Sequence, residues 1–103
     1  MVFTCYKAAQ YGFKITVKDR DKYISKNWKE IILELPTKNG YIEANCNLNK
    51  VSFWNGTCHE IIKKEIAEWL KDNGYDRWQY RKPYKFNVVQ VRDNRFRLLS
   101  KID

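Results

Sequence analysis

The dipeptide Asn39-Gly40 constrains this 103-residue chain more than any other feature, because both residues tolerate positive φ and both sit between runs of alternating polarity. Before it, from Trp28 to Leu35, Ile31, Leu33 and Leu35 share one face of an extended segment, while Glu30, Ile32 and Glu34 share the other. Pro36 is expected to end that strand. After it, from Tyr41 to Leu48, Ile42, Ala44, Cys46 and Leu48 are expected inward and Tyr41, Glu43, Asn45 and Asn47 outward. The pattern predicts a β-hairpin with one apolar face.

The same periodicities place the remaining elements. Phe13 to Lys18 alternates strictly and predicts a half-buried strand with Phe13, Ile15 and Val17 inward, followed by a solvated loop at Asp19-Arg20-Asp21-Lys22. Thr57 and Glu60 have the spacing of a capping box, in which each side chain satisfies a free backbone N–H near the other. Cys58, Ile62, Ile66, Trp69 and Leu70 then recur at helical spacing. Gly74 stands where a left-handed cap is due, with Tyr75 placed to pack back on the last turn. A helix of about sixteen residues would be roughly 24 Å long, enough to cross a small sheet. Phe86 to Arg92 and Arg95 to Leu99 read as two more strands joined at Asp93-Asn94. The expectation is one α+β domain over residues 1–103: a curved, mostly antiparallel sheet of about five strands, in the order βββαββ, packed on one amphipathic helix.

Composition agrees with a folded domain, being 44% hydrophobic and 31% charged with four Gly and two Pro. The three cysteines, Cys5, Cys46 and Cys58, are too few and too widely spaced for a disulfide framework. No apolar run is long enough for a transmembrane helix, and the first residues lack the layout of a signal peptide. A soluble protein of the reducing cytoplasm is expected, without membrane association. Formal net charge is +8, and it is uneven. Residues 57–75 hold three Lys/Arg against four Asp/Glu, whereas residues 76–103 hold eight against three. A surplus of this size draws polyanions such as nucleic acid or acidic proteins, although it also serves solubility alone.

The leading candidate site lies in that last quarter. Arg77, Arg81, Lys82 and Lys85 interleave with Trp78, Tyr80 and Tyr84 within nine residues. Cations neutralise phosphates and release counterions, and aromatic faces stack bases. Arg95 and Arg97 are expected to extend this surface from the final hairpin. Trp54, just before the expected helix, is a further candidate for stacking or partner contact, set against a packing role for one member of the Phe53-Trp54 pair.

Catalytic and metal chemistry find little support. His59, the single histidine, adjoins Cys58, and neighbours on a helix diverge too far to form a nucleophile–base pair, so His59 is expected on the surface of the first turn and Cys58 in the core. Cys5, Cys46, Cys58 and His59 show no zinc-ligand spacing. Glu30, Glu34 and Glu43 on the outer face of the hairpin are the nearest approach to a metal-dependent nuclease site. No glycine-rich phosphate loop exists. No cofactor or metal is expected. The functional expectation is a non-enzymatic nucleic-acid-binding domain for RNA or single-stranded DNA. The alternative is a protein-interaction module or accessory subunit with an acidic protein partner, which leaves a homo-oligomer open. A small ribonuclease is third.

Overall fold

The computed structural model describes residues 1–55 and 59–103. Their elements run β1 (Val2–Lys7), β2 (Tyr11–Ile15), α1 (Val17–Tyr23), β3 (Glu30–Thr37), β4 (Gly40–Asn47), α2 (Val51–Asn55), β5 (His59–Ile61), α3 (Lys64–Asp72), β6 (Lys85–Arg92) and β7 (Arg95–Ile102). The strands form one sheet in the order β4-β3-β7-β6-β1-β2-β5. All neighbours are antiparallel except β3 and β7. The α+β class and the curled, mostly antiparallel sheet agree with expectation. The expected five strands and single helix become seven strands and three helices among the described residues.

One face of the sheet supplies the core. Phe3, Phe13, Ile31, Leu33, Ala44, Ile61, Phe86, Phe96 and Leu98, contributed by all seven strands, are essentially inaccessible. Helix α3 fills the hollow with Ile66, Trp69 and Leu70. It packs against both β2 and β4, which stand near opposite margins of the sheet, so the sheet curls round it. Aromatic edges lock the layers: Trp69 meets Phe86 at 5.8 Å and Phe13 meets Phe86 at 5.9 Å. Gly12 marks the tightest approach, since a Cβ there would lie 2.7 Å from the Ile61 carbonyl oxygen on β5.

The hairpin at Asn39-Gly40 forms as read, in register from Glu30↔Asn47 to Thr37↔Gly40. Pro36 does not end β3, however; it ends the pairing of β3 with β7. The Ile32 N–H donates to the Asn94 carbonyl at 2.9 Å, which sets the alternation, and the β3–β7 ladder stops at Glu34↔Arg97. The next donor due on that side is Pro36, which has no N–H. Its carbonyl accepts the Trp69 indole N–H at 2.7 Å instead.

Four further expectations are corrected. The strand read over Phe13 to Lys18 stops at Ile15, because Thr16 caps α1: its hydroxyl accepts the Asp19 N–H at 3.1 Å. Asp19 to Lys22 is therefore helix rather than loop, and Val17 is exposed rather than inward. The long helix from Thr57 is divided. Thr57 and Cys58 lie outside the described residues, Glu60 pairs across β5 with Lys14, and the helix proper is the nine residues of α3. Its end follows the sequence reading: Gly74 has φ +74°, its N–H donates to the Lys71 carbonyl, and the Tyr75 N–H donates to the Leu70 carbonyl at 2.8 Å. Ile42, expected inward, is 40% exposed at the margin of the sheet. His59, expected on the surface, is buried in β5.

Candidate nucleic-acid interface

Beyond the Gly74 cap the chain makes a short excursion before entering β6. Gln79 and Lys82 form an isolated antiparallel bridge, with the Lys82 N–H donating to the Gln79 carbonyl at 2.8 Å. Tyr80 and Arg81 sit at its tip. Arg81 holds a left-handed backbone, φ +61°, and its guanidinium lies 5.1 Å from the centroid of the Tyr80 ring. Tyr80 is 83% exposed, the most exposed large hydrophobic side chain among the described residues. The flanking rings anchor this tip. Trp78 packs edge-on against Tyr11 at 6.0 Å, and Tyr84 packs against Tyr75 at 5.1 Å with the Lys101 ammonium over its face. Trp78 and Tyr84 are half-buried; Arg77, Arg81, Lys82 and Lys85 are exposed. Among the described residues, no carboxylate lies within ion-pair distance of those four cations.

The Trp78–Tyr11 contact joins the excursion to a groove of about 310 Å³ between the β1–β2 turn and the outward side of α3. Lys7, Tyr11, Lys64, Glu68 and Lys71 line it. The Lys7 ammonium stands 5.2 Å over the Tyr11 ring, and Glu68 reaches Lys64 at 3.8 Å on an exposed helix face. These lysines escaped the sequence reading. Their signal was present in the spacing of Lys64, Glu68 and Lys71 on one helix face, but Lys7 and Tyr11 join them only by tertiary packing.

Arg95 and Arg97 stand elsewhere, on the outer face of the sheet. Glu34 lies beside them through the parallel β3–β7 register and opposite Glu43 through the β3–β4 register. Arg95 Nη1 donates to Glu34 at 2.9 Å and also to Glu43, and Arg97 Nε donates to Glu34 at 2.6 Å. The Arg97 guanidinium covers the Tyr41 ring at 5.5 Å. Burial acts to raise the Glu34 carboxyl, but hydrogen bonds and charge from Arg95 and Arg97 outweigh it and hold the group below the usual carboxylate range. The hydrogen bonds from Glu43 and Glu34 in turn hold Arg95 more firmly protonated. Glu34 and Glu43 thus serve arginines, and among the described residues no cluster of His, Cys, Asp and Glu could hold a metal ion.

Trp54 is half-buried inside α2 rather than free before a helix. Its indole N–H donates to the Leu48 carbonyl at 3.1 Å, and its ring lies edge-on to the buried Phe53 at 5.0 Å. The Arg20 guanidinium stacks on it at 5.4 Å. Arg20 itself is buried, donating to the Phe53 and Trp54 carbonyls at 3.0 and 2.8 Å and to Asp21 at 3.0 Å. His59 completes this cluster, with Nδ1 2.9 Å from the Phe53 carbonyl oxygen. Burial pushes the Cys5 and Cys46 thiols up to about 12, which leaves them protonated and unreactive. Comparison of the chain with protein-family models, with curated proteins and with solved structures finds no match.

Proposed function

We propose that the protein binds single-stranded nucleic acid, RNA or DNA, without catalysis, at the end of the molecule that carries Tyr80. The observation that carries this reading is the solvent-facing Tyr80 ring with Arg81 stacked on it, flanked by Arg77, Lys82 and Lys85, which have no carboxylate within ion-pair distance among the described residues. Arg77, Lys82 and Lys85 supply phosphate contacts on one side, and Lys7, Lys64 and Lys71 supply them across the Trp78–Tyr11 junction. Base stacking on Tyr80 suits unpaired bases, because a ring at a loop tip reaches a π-face only where the base is not already stacked in a duplex. Trp78 and Tyr84 act in this reading as anchors that aim the tip, and Arg95 and Arg97 take no part.

Anisotropy titration of a labelled single-stranded oligonucleotide against salt tests the reading. The expected result is affinity that falls with salt, with a log–log slope of about −0.7 per phosphate contacted, and weaker binding to a duplex of the same length. No measurable binding at low salt, or affinity indifferent to salt, would rule the reading out.

A further inference from the structure

The two margins of the sheet are built differently. Strand β5 is three residues long and runs at once into Lys63 and Lys64, which blunts it as a template for further pairing. Strand β4 lacks most of the usual protections, with Glu43 its single charge. It is eight residues long, contains no proline, lysine or arginine, and keeps continuous register with β3 from end to end, so no bulge twists it away. The Leu48 N–H donates to the Lys29 carbonyl at 2.8 Å, which sets the alternation along the strand. Leu48, Cys46, Ala44 and Ile42 spend their backbone groups on β3, and the N–H and C=O groups of Tyr41, Glu43, Asn45 and Asn47 point off the sheet. All four residues are exposed, and Tyr41 and Ile42 leave apolar surface at the same margin.

We infer that β4 is a self-association edge, at which a second copy of this chain pairs antiparallel about a two-fold axis through Ala44. A row of solvated ladder groups is a template for another strand, and the sequence of β4 is complementary to itself in one register. An axis through Glu43 would set two carboxylates opposite each other. An axis through Ala44 overlaps as many residues and sets Glu43 against Asn45 of the second copy, Tyr41 against Asn47, and Ile42 against Cys46. Four narrow pairs then exchange about eight hydrogen bonds. Ile42, which in the single chain pairs with Leu35 on one side only and stays 40% exposed, gains a second apolar neighbour. Charge favours the same occupant. The chain carries +8 overall, yet β4 bears no cation, and its one carboxylate is already held by Arg95, so two copies can meet here without opposing unpaired charges.

A single strand pair is smaller than a standard stable interface, so the association is concentration-dependent. Sedimentation velocity of the full chain from about 5 to about 500 µM is the test, and a monomer–dimer equilibrium within that range is expected. Asn45→Pro removes an outward N–H without touching the β3 ladder, and should leave the chain monomeric with an unchanged circular dichroism spectrum. Two further variants report the register independently of the proline. Asn45→Glu faces Glu43 of the second copy and should weaken the dimer about tenfold, whereas Asn45→Lys faces the same carboxylate and should preserve or tighten it. A chain monomeric throughout the range, or a dimer indifferent to all three variants, would overturn the proposal and leave the edge to a foreign strand.

Discussion

Two sets of cations on this molecule have the same chemistry and opposite circumstances. Arg95 and Arg97 lie on a rigid sheet face, each bonded to a carboxylate, and their charge is spent on Glu34 and Glu43. Arg77, Arg81, Lys82 and Lys85 lie on an excursion between α3 and β6 with no acidic partner among the described residues. A count of positive residues treats the two sets alike. Their surroundings make the first a part of the fold and the second available to a ligand. The contrast predicts a double dissociation: changes to the first set should move stability and spare binding, and changes to the second should do the reverse.

The largest expected effect is on the structural side. Glu34→Ala leaves Arg97 without its carboxylate and Arg95 with Glu43 alone, and should lower stability by about 2 kcal/mol, a fall of roughly 10 °C in the melting midpoint. Nucleic-acid affinity should change little. The pH dependence follows from the lowered Glu34 carboxyl. A group whose folded pKa is depressed adds stability above its unfolded value, about 4.3, and loses that contribution as pH falls through the folded value. The gap in melting midpoint between the parent chain and Glu34→Gln should therefore be full at neutral pH and close as pH drops below about 4. A gap that stayed constant with pH would show that the charge on Glu34 does no work in the fold.

Next come the binding residues. Tyr80→Ala should cost about 1–3 kcal/mol of affinity for a single-stranded oligonucleotide, the worth of one stacked base, with the melting midpoint unmoved. Combined replacement of Arg81 and Lys82 by Ala should flatten the salt slope by about 1.4, two phosphate contacts at about 0.7 each, again without loss of stability. If Arg95→Ala and Arg97→Ala flattened the slope as much, the division between the two sets would fail.

The sequence displayed the hairpins well because their signals are local. Asn39-Gly40 and Asp93-Asn94 sit inside the segments they join, and alternation in β3, β4, β6 and β7 needs no distant information. Most of the errors have distant causes. Periodicity runs through Ile62 and Ile66 as though one helix began at Thr57, but β5 pairs with Phe13 to Ile15 across the sheet, and that partner takes His59 to Ile61 away from the helix. Helix α1 looked like a loop because its residues are charged. What holds it is the Thr16 cap and Arg20 reaching carbonyls more than thirty residues away in α2. Strand β1 was missed because Phe3 and Cys5 alternate over too short a run to stand out. The site was legible in part. Tyr80, Arg81 and Lys82 were readable from composition within one loop, whereas the neutralising of Arg95 by Glu34 depends on a contact spanning sixty-one residues of chain.

The smallest expected effect separates the two sets most cleanly, because it reverses sign between stability and binding. Arg81 occupies the left-handed region, where a residue with a Cβ is disfavoured by roughly 1 kcal/mol and glycine is not. Arg81→Gly relieves that strain while giving some freedom to the unfolded chain, so stability should hold or rise by up to about 1 kcal/mol. The same change removes the cation stacked on Tyr80 and one phosphate contact, so affinity should fall and the salt slope should lessen by about 0.7. A side chain kept in a strained conformation that the fold does not require is then explained by what it holds in solvent. If Arg81→Gly instead lowered the melting midpoint and left the salt slope intact, Arg81 would belong with Arg95 and Arg97 as a part of the framework.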